Sequence, residues 1–405
     1  MSVNKNISKR IKDVKLNALL EITKAINNNF STDQLLKIFE EVLANQLNIG
    51  RLVLFSHDGD WKCILKYGVA EEYNAIDVER DLLSIKEIGT INFSKKNLNK
   101  SFEIVIPVYH KSQPLAFVLI GDLEDRVEVS PAIKHLPFVQ TLTSIIVVAI
   151  ENKKLAKDNI RQAAMKKELE LASEMQAMLF PTALPVNDKL EAAAFYLPHQ
   201  QVGGDYYDFI WLNEYECAFC VADVSGKGVA AALLMSNFQA TLRVLIQHTN
   251  SLTRLIKELN NKVMANAKGE KFITFFIAKY NIKTRQLSFV NAAHNPPLLV
   301  SKRGSVELLS TGCTGLGMFD DIEKIEEGHI QIAPDTTIIC YTDGLVELEN
   351  EKNEEYGTDA LQKFVLLKTN LSPHSLNKAI VDEVIDFKQS KSYVDDIALF
   401  TIKLY

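Results

Sequence analysis

The chain is poor in cysteine, and what it has follows no pattern. Cys63, Cys217, Cys220, Cys313 and Cys340 are odd in number, with no framework spacing, so a disulfide scaffold is excluded. Cys217 and Cys220 form a single C-x-x-C with no second pair, inside an apolar strand-like run. Core packing explains them better than zinc or redox chemistry. Cys313 is followed by Thr314-Gly315-Leu316-Gly317-Met318, without the arginine that a cysteine-dependent phosphatase needs to hold phosphate. No G-x-S-x-G elbow occurs, which argues against a serine hydrolase. Blocks of positive charge are missing as well. Beyond the scattered Lys5, Lys9, Arg10 and Lys12 the basic residues are dispersed, and the net charge is −6. Nucleic acid is therefore not an expected partner. Long apolar runs are also lacking: the strongest, Ile145 to Ile150, is too short to span a bilayer, and the N-terminus has no signal-peptide core. The expectation is a cytoplasmic protein with no membrane partner.

What is present is an ordinary globular balance, 47% hydrophobic and 24% charged over 405 residues, enough for two or three domains. The first helix is expected to bury Leu16, Leu19, Leu20, Thr23 and Ile26. Ser31-Thr32-Asp33-Gln34 fits a capping box that opens a second helix through Leu35, Leu36, Phe39, Val42 and Leu43. Strands are expected at Arg51 to Phe55 and Trp61 to Tyr67, either side of a turn at Asp58-Gly59. After a loose polar stretch to about Asn99 come strands at Phe102 to Tyr109 and Leu115 to Ile120, then a helix from about Leu136. Pro107 confines its strand to an edge or bulge. This order resembles a GAF domain over roughly residues 15 to 150. The resemblance implies a sensor for a small-molecule or protein signal at residues 1–150, and it carries over no binding residue.

From Glu151 to Leu179 the chain is rich in Lys, Glu, Ala, Met and Leu, and it stops at Phe180-Pro181. Strong helix propensity predicts a linker helix at 151–180. Its irregular apolar stripe, Leu155, Ile160, Ala164, Leu169, Ala172, Met175 and Leu179, allows two readings. The helix packs on its own catalytic domain, or it pairs with a second copy to make a homodimer. From Leu190 the texture becomes strands and turns with a few helices. One of these, Ala230 to Leu245, is expected to bury Leu233, Leu234, Phe238 and Leu242.

Four acidic signals punctuate this last part: Val202-Gly203-Gly204-Asp205-Tyr206-Tyr207-Asp208, Asp223-Val224-Ser225-Gly226-Lys227-Gly228, Thr342-Asp343-Gly344 and Asp395-Asp396. Aspartates gathered from distant strand ends suit hard divalent cations, which take oxygen ligands. Two such ions, about 3.5–4 Å apart, turn water into a nucleophile and neutralise phosphoryl oxygens. The implied chemistry is metal-dependent hydrolysis of a phosphoester. Any one of these aspartates could be turn chemistry alone, and Asp208 and Asp396 could be hydrogen-bond partners or caps. Lys227 could contact phosphate or only solvent.

Together with Leu179-Phe180-Pro181, Phe272-Ile273-Thr274-Phe275-Phe276, Asn291-Ala292-Ala293-His294-Asn295-Pro296-Pro297 and Thr342 to Glu347, these stretches occur in the order of a known family. The segment from about Leu171 to Leu404 resembles the PPM metal-dependent serine/threonine phosphatases of the stage II sporulation protein E type. The resemblance implies an α+β chain, its phosphatase domain at 181–405 built of two packed antiparallel sheets flanked by helices. It implies two Mn²⁺ or Mg²⁺ ions held by Asp205, Asp223, the carbonyl of Val224, Asp343 and Asp395, and attack by a metal-bridging hydroxide. It also implies a phosphoserine or phosphothreonine substrate on a regulatory protein, such as an anti-sigma-factor antagonist. Two departures stand out. Val224-Ser225-Gly226 replaces the histidine that type 2C enzymes carry there, which leaves His294 as one candidate general acid. Ala293 stands where the family usually has glycine. The rival reading is a catalytically inactive metal-binding scaffold, against which the intact aspartates argue.

Overall fold

The computed structural model describes residues 2–47, 49–91, 102–110, 112–121 and 131–405. Lys111 and the end of the polar stretch before Asn99 lie outside them. The chain divides into two compact units, Met1–Ala163 and Ala164–Tyr405.

The first unit is built on an antiparallel sheet of β1 (Arg51–Asp58), β2 (Asp60–Tyr67), β3 (Gly89–Thr90), β4 (Ile104–His110) and β5 (Gln113–Gly121), in the order β2-β1-β5-β4-β3. Gly59, at φ 72°, makes the β1–β2 turn with the positive φ that glycine tolerates best. Among the described residues β3 pairs only with Ile104 and Val105 of β4, short of Pro107, which fits a proline beyond the paired part of that side of the strand. The helix Thr32–Glu41 opens on the expected capping box: Ser31 Oγ accepts from the Gln34 amide, and Gln34 Oε1 from the Ser31 amide.

The first helix, Ser2–Asn27, buries a different face from the one expected. Ala18, Ile22 and Ala25 are inside, with Leu19 and Ile26 partly buried, while Leu16 and Leu20 are exposed. Ala18, Ile22 and Ala25 share one face, and Leu16 and Leu20, each two positions from Ala18, are turned outward.

The helix Pro131–Ala177 is continuous, and the boundary between the units falls inside it. From Asn152 to Met175 nearly all its side chains are exposed.

The second unit has two sheets. One runs β13 (Gly312–Cys313), β10 (Gln286–Ala292), β9 (Ile273–Asn281), β8 (Glu216–Val224), β7 (Tyr206–Trp211), with β14 (Gly328–Gln331) also on β10. The other runs β12 (Val306–Leu308), β11 (Leu298–Val300), β15 (Thr336–Tyr341), β16 (Ile397–Leu404), β6 (Leu190–Leu197). All pairings are antiparallel except the short β10–β13 contact.

Phe219, Val221, Phe276 and Phe289 from the first sheet meet Ile338, Cys340, Phe400 and Ile402 from the second in one buried layer. These residues recur at every second position, the pattern of strands with an inward face. Helices Val229–His248 and Leu252–Ala267 cover the outer face of the first sheet, and Thr358–Leu366 and Pro373–Lys388 that of the second. Val229–His248 is apolar and long enough to cross a membrane by length and composition alone. Its Ala231, Leu234, Met235, Phe238, Leu242 and Ile246 are buried against the sheet, and that packing accounts for its apolarity. Leu233, expected inside, is exposed, one position off the buried stripe.

Candidate functional site

The site is assembled by strand register. β7 and β8 pair Tyr206 with Ala222, and one step further along that register stands Asp205 opposite Asp223. On the other sheet β15 and β16 pair Tyr341 with Leu399, and the Thr342 amide donates to the Ala398 carbonyl at 3.1 Å. Asp343, just past one strand, and Asp395, just before the other, thus share an edge. Asp343 is the first residue of a short helix, Asp343–Val346, rather than the end of a strand. The two pairs belong together, since the charge of Asp343 bears on both Asp205 and Asp223. The structure therefore brings Asp205, Asp223, Asp343 and Asp395 to one edge of the sandwich.

The glycines make the approach possible. A Cβ on Gly203 would sit 2.2 Å from the Tyr196 hydroxyl and 2.4 Å from Asp396 Oδ2; one on Gly204 would sit 2.9 Å from the Val224 carbonyl oxygen. That carbonyl therefore faces the Gly204 loop. A Cβ on Gly344 would fall 2.0 Å from the Asp396 carbonyl oxygen, so the Asp343 turn can press against the Asp395-Asp396 backbone only with glycine there. Asp396 clamps the loop: Oδ2 accepts from the Gly204 amide at 2.6 Å and Oδ1 from the His199 amide at 2.7 Å. Asp208 points elsewhere, into a bidentate pair with Arg243 at 2.8 and 3.0 Å, and ties the helix Val229–His248 to β7.

Electrostatically this is a carboxylate cluster short of positive charge. Burial, then the charge of Asp223, pushes Asp205 well above the usual carboxylate range, and a hydrogen bond from the Thr342 side chain opposes part of that rise. Burial, then Asp343, raises Asp223 to about 7. Burial, then Asp395, raises Asp343. Asp205 is 1% exposed, and its Oδ2 has no hydrogen-bond partner. A buried carboxylate oxygen left unpaired is costly. Among the described residues no three His, Cys, Asp or Glu side chains enclose an ion ready-made. The donors nonetheless fit a hard divalent ion: they are all oxygen, mutually repelling, and one is orphaned in the interior.

His294 is buried, its Nδ1 2.8 Å from the hydroxyl of Thr274, which lies across the ladder from Asp223. Burial lowers its pKa to about 4. The imidazole is neutral near pH 7 and so is not charged to act as a general acid there. Ala293 adopts the left-handed conformation, φ 53°, that glycine takes most readily. Because the folded pKa of His294 lies below its ordinary 6.5, the folded protein resists protonation, and stability is lost as pH falls from about 6.5 towards about 4. That contribution is worth up to about 3 kcal/mol. His294→Asn should flatten the pH dependence of the melting temperature over that window; an unchanged profile contradicts the assignment.

Three residues escaped the sequence reading. Gln176 is buried at the end of the long helix, and its amide clamps Gly203: Nε2 donates to the Gly203 carbonyl at 2.7 Å, and Oε1 accepts its amide at 3.1 Å. Thr342 supports Asp205, and Tyr196 backs Gly203. Gln176 sits in a helix of exposed polar residues, where nothing in the sequence separates it from a solvent-facing glutamine.

With the geometry in place, comparison with known proteins is informative. The family description Stage II sporulation protein E (SpoIIE) matches residues 213–405, a span holding Asp223, Asp343 and Asp395. "Phosphoserine phosphatase RsbU" of Bacillus subtilis (strain 168) is 29% identical over 245 residues, 60% of this chain and 71% of that protein. "Protein IcfG" of Synechocystis sp. is 22% identical over 83% of this chain and 58% of its own length. "Phosphoserine phosphatase RsbP" of Bacillus subtilis (strain 168) is 25% identical over 45% of this chain and 46% of its own length. Among solved structures, the SiaA-PP2C domain of Pseudomonas aeruginosa superposes with a TM-score of 0.54 at 19% identity, over 61% of this chain and 98% of that one. At that identity the likeness speaks to the fold.

Proposed function

We propose that this chain, whose C-terminal unit carries a SpoIIE-type PP2C phosphatase domain, is a signalling phosphatase that removes phosphate from phosphoserine or phosphothreonine of a regulatory protein. The observation that carries this reading is the convergence of Asp205, Asp223 and Asp343, with a buried carboxylate oxygen unpaired. Asp205, Asp223, the Val224 carbonyl, Asp343 and Asp395 would hold two Mn²⁺ or Mg²⁺ ions. Bound there, the ions would supply activated water and charge neutralisation for the phosphoryl group.

The protein's own residues fix the frame. Asp396 and Gln176 hold the Gly203-Gly204 loop from two sides, Thr342 orients Asp205, and Gly344 seats Asp343 against Asp395. His294 holds Thr274 beside Asp223 without carrying charge. The homologue names "Phosphoserine phosphatase RsbU" and "Phosphoserine phosphatase RsbP" support a phosphoserine substrate. By the resemblance, an anti-sigma-factor antagonist is a fitting one.

In this proposal the protein is cytoplasmic, residues 1–150 are a GAF-like sensor, and the helix Pro131–Ala177 relays its state. Gln176, the last buried side chain of that helix, makes it sensitive to the Gly203 loop. Leu155, Ile160, Met165, Leu171 and Met175 are each half or more exposed, which supports a homodimer formed along this helix. Ile160→Lys should then shift the protein from dimer to monomer in size-exclusion chromatography with light scattering; a monomeric wild type would end the dimer proposal. The function itself is tested by release of phosphate from phosphoserine proteins with and without Mn²⁺. Metal binding without turnover on any of them would favour the inactive scaffold.

A further inference from the structure

On the Asp343–Asp395 side of the site one cation is already present. Lys227 Nζ lies 2.8 Å from Asp395 Oδ2 and donates to the Val394 carbonyl at 2.5 Å. Its charge also reaches Asp343. The placement is a product of the backbone: Gly226 and Gly228 flank the lysine at φ 87° and 72°, so the turn that directs it is built from left-handed positions. Among the described residues Asp205 makes no ion pair; burial and the charges of Asp223, Asp396 and Asp343 act on it, and one threonine hydrogen bond opposes them. The two halves of the cluster therefore differ, one buried and uncompensated, the other carrying a counter-charge on a flexible arm.

We propose that Lys227 is a resident counter-cation of the Asp343–Asp395 half, displaced by a divalent ion, and that it thereby sets the weaker of two metal affinities. The inference rests on the metal reading above and deepens it. Displacement is easy for a lysine. Lys227 and Asp395 are 38% and 39% exposed as side chains, so the pair is solvent-screened, and its loss costs little. The ammonium is a compact point charge on a four-carbon stem, able to swing into solvent without disturbing the turn. A divalent ion, with twice the charge and several oxygen donors to collect, competes successfully, but against a standing occupant.

The test is Mn²⁺ titration by isothermal calorimetry on the full chain, comparing the wild type with Lys227→Gln and Lys227→Arg. Two classes of site are expected in the wild type. Lys227→Gln should tighten the weaker class by roughly five- to tenfold, leave the tighter class unchanged, and remove the extra salt sensitivity of the weaker one. Lys227→Arg, which keeps the charge, should stay near wild type. Two classes with unchanged or weakened affinity in Lys227→Gln overturn the inference, because the lysine would then be a support for Asp395 or a group awaiting phosphate. No Mn²⁺ binding in any of the three proteins overturns the metal reading itself, which separates the two failures.

Discussion

Asp205→Asn is expected to lower phosphatase turnover by more than about a hundredfold, while the metal-free protein melts no lower than wild type. The activity loss follows from position. Residues that merely support metal ligands typically cost about 10–100-fold when changed, and Asp205 is proposed as a ligand itself. The stability follows from burial. Asp205 is enclosed, Oδ2 has no partner, and Asp223 repels its charge. Asparagine has nearly the same shape, still accepts from Thr342, and is neutral in the folded and unfolded chain alike, so it escapes the cost that burial imposes on ionising the carboxyl group. The metal-free variant should gain stability, on the order of 1–3 kcal/mol. Asp343→Asn should behave alike in activity, with a smaller gain because that group is less enclosed. Phosphate release and thermal melts check both halves. Wild-type turnover in either variant would count heavily against the site, and a collapse of the melting temperature would make Asp205 a structural residue.

The second large effect is the linkage between metal and protons. Chelation with EDTA should abolish turnover and lower the melting temperature, and Mn²⁺ should restore both, with a larger rise at pH 8 than at pH 6.5. The sign follows from carboxylates whose folded pKa values are raised. Asp223, at about 7 rather than 3.8, contributes stability to the metal-free fold that is full below about 3.8 and lost as pH rises through about 7. Asp205 and Asp343 act in the same direction. Between pH 6.5 and 8 the Asp223 contribution falls by about 1 kcal/mol, a window above the range where His294 acts oppositely. Metal binding needs the deprotonated carboxylates and releases their protons, so it gains what the empty site loses. A single site occupied at a hundred times its dissociation constant adds about 2.7 kcal/mol. A melting temperature indifferent to Mn²⁺ at both pH values would contradict the linkage.

Much of this site could be read from the chain before any coordinates, because its chemistry demands particular residues at particular breaks. Asp205 after two glycines, Asp223 before a glycine turn and Asp343 before Gly344 are local patterns, and the close contacts at Gly203, Gly204 and Gly344 show why no larger residue would serve. The long strands are legible too: Thr336–Tyr341 and Ile397–Leu404 are nearly continuous runs of apolar and β-branched residues, the composition of strands buried on both faces.

What stayed hidden depends on partners distant in sequence. Asp396 and Asp395 are indistinguishable as neighbours in a dipeptide, yet one clamps the Gly204 amide and the other meets Lys227. Gln176 is distinguished only by Gly203, 27 residues away. Leu16, Leu20 and Leu233 misled the choice of helix face, since a leucine satisfies a helical period whether or not a sheet lies opposite. Short strands such as Leu298–Val300 and Val306–Leu308 hold too few residues to show a period at all.

Crystals of the full chain soaked in Mn²⁺ and measured at the manganese absorption edge give the most direct answer. Two anomalous peaks are expected at the sandwich edge, ligated by oxygens of Asp205, Asp223, Val224, Asp343 and Asp395, with Lys227 withdrawn from Asp395. No peak there, or manganese bound only elsewhere on the molecule, would contradict the account at its foundation.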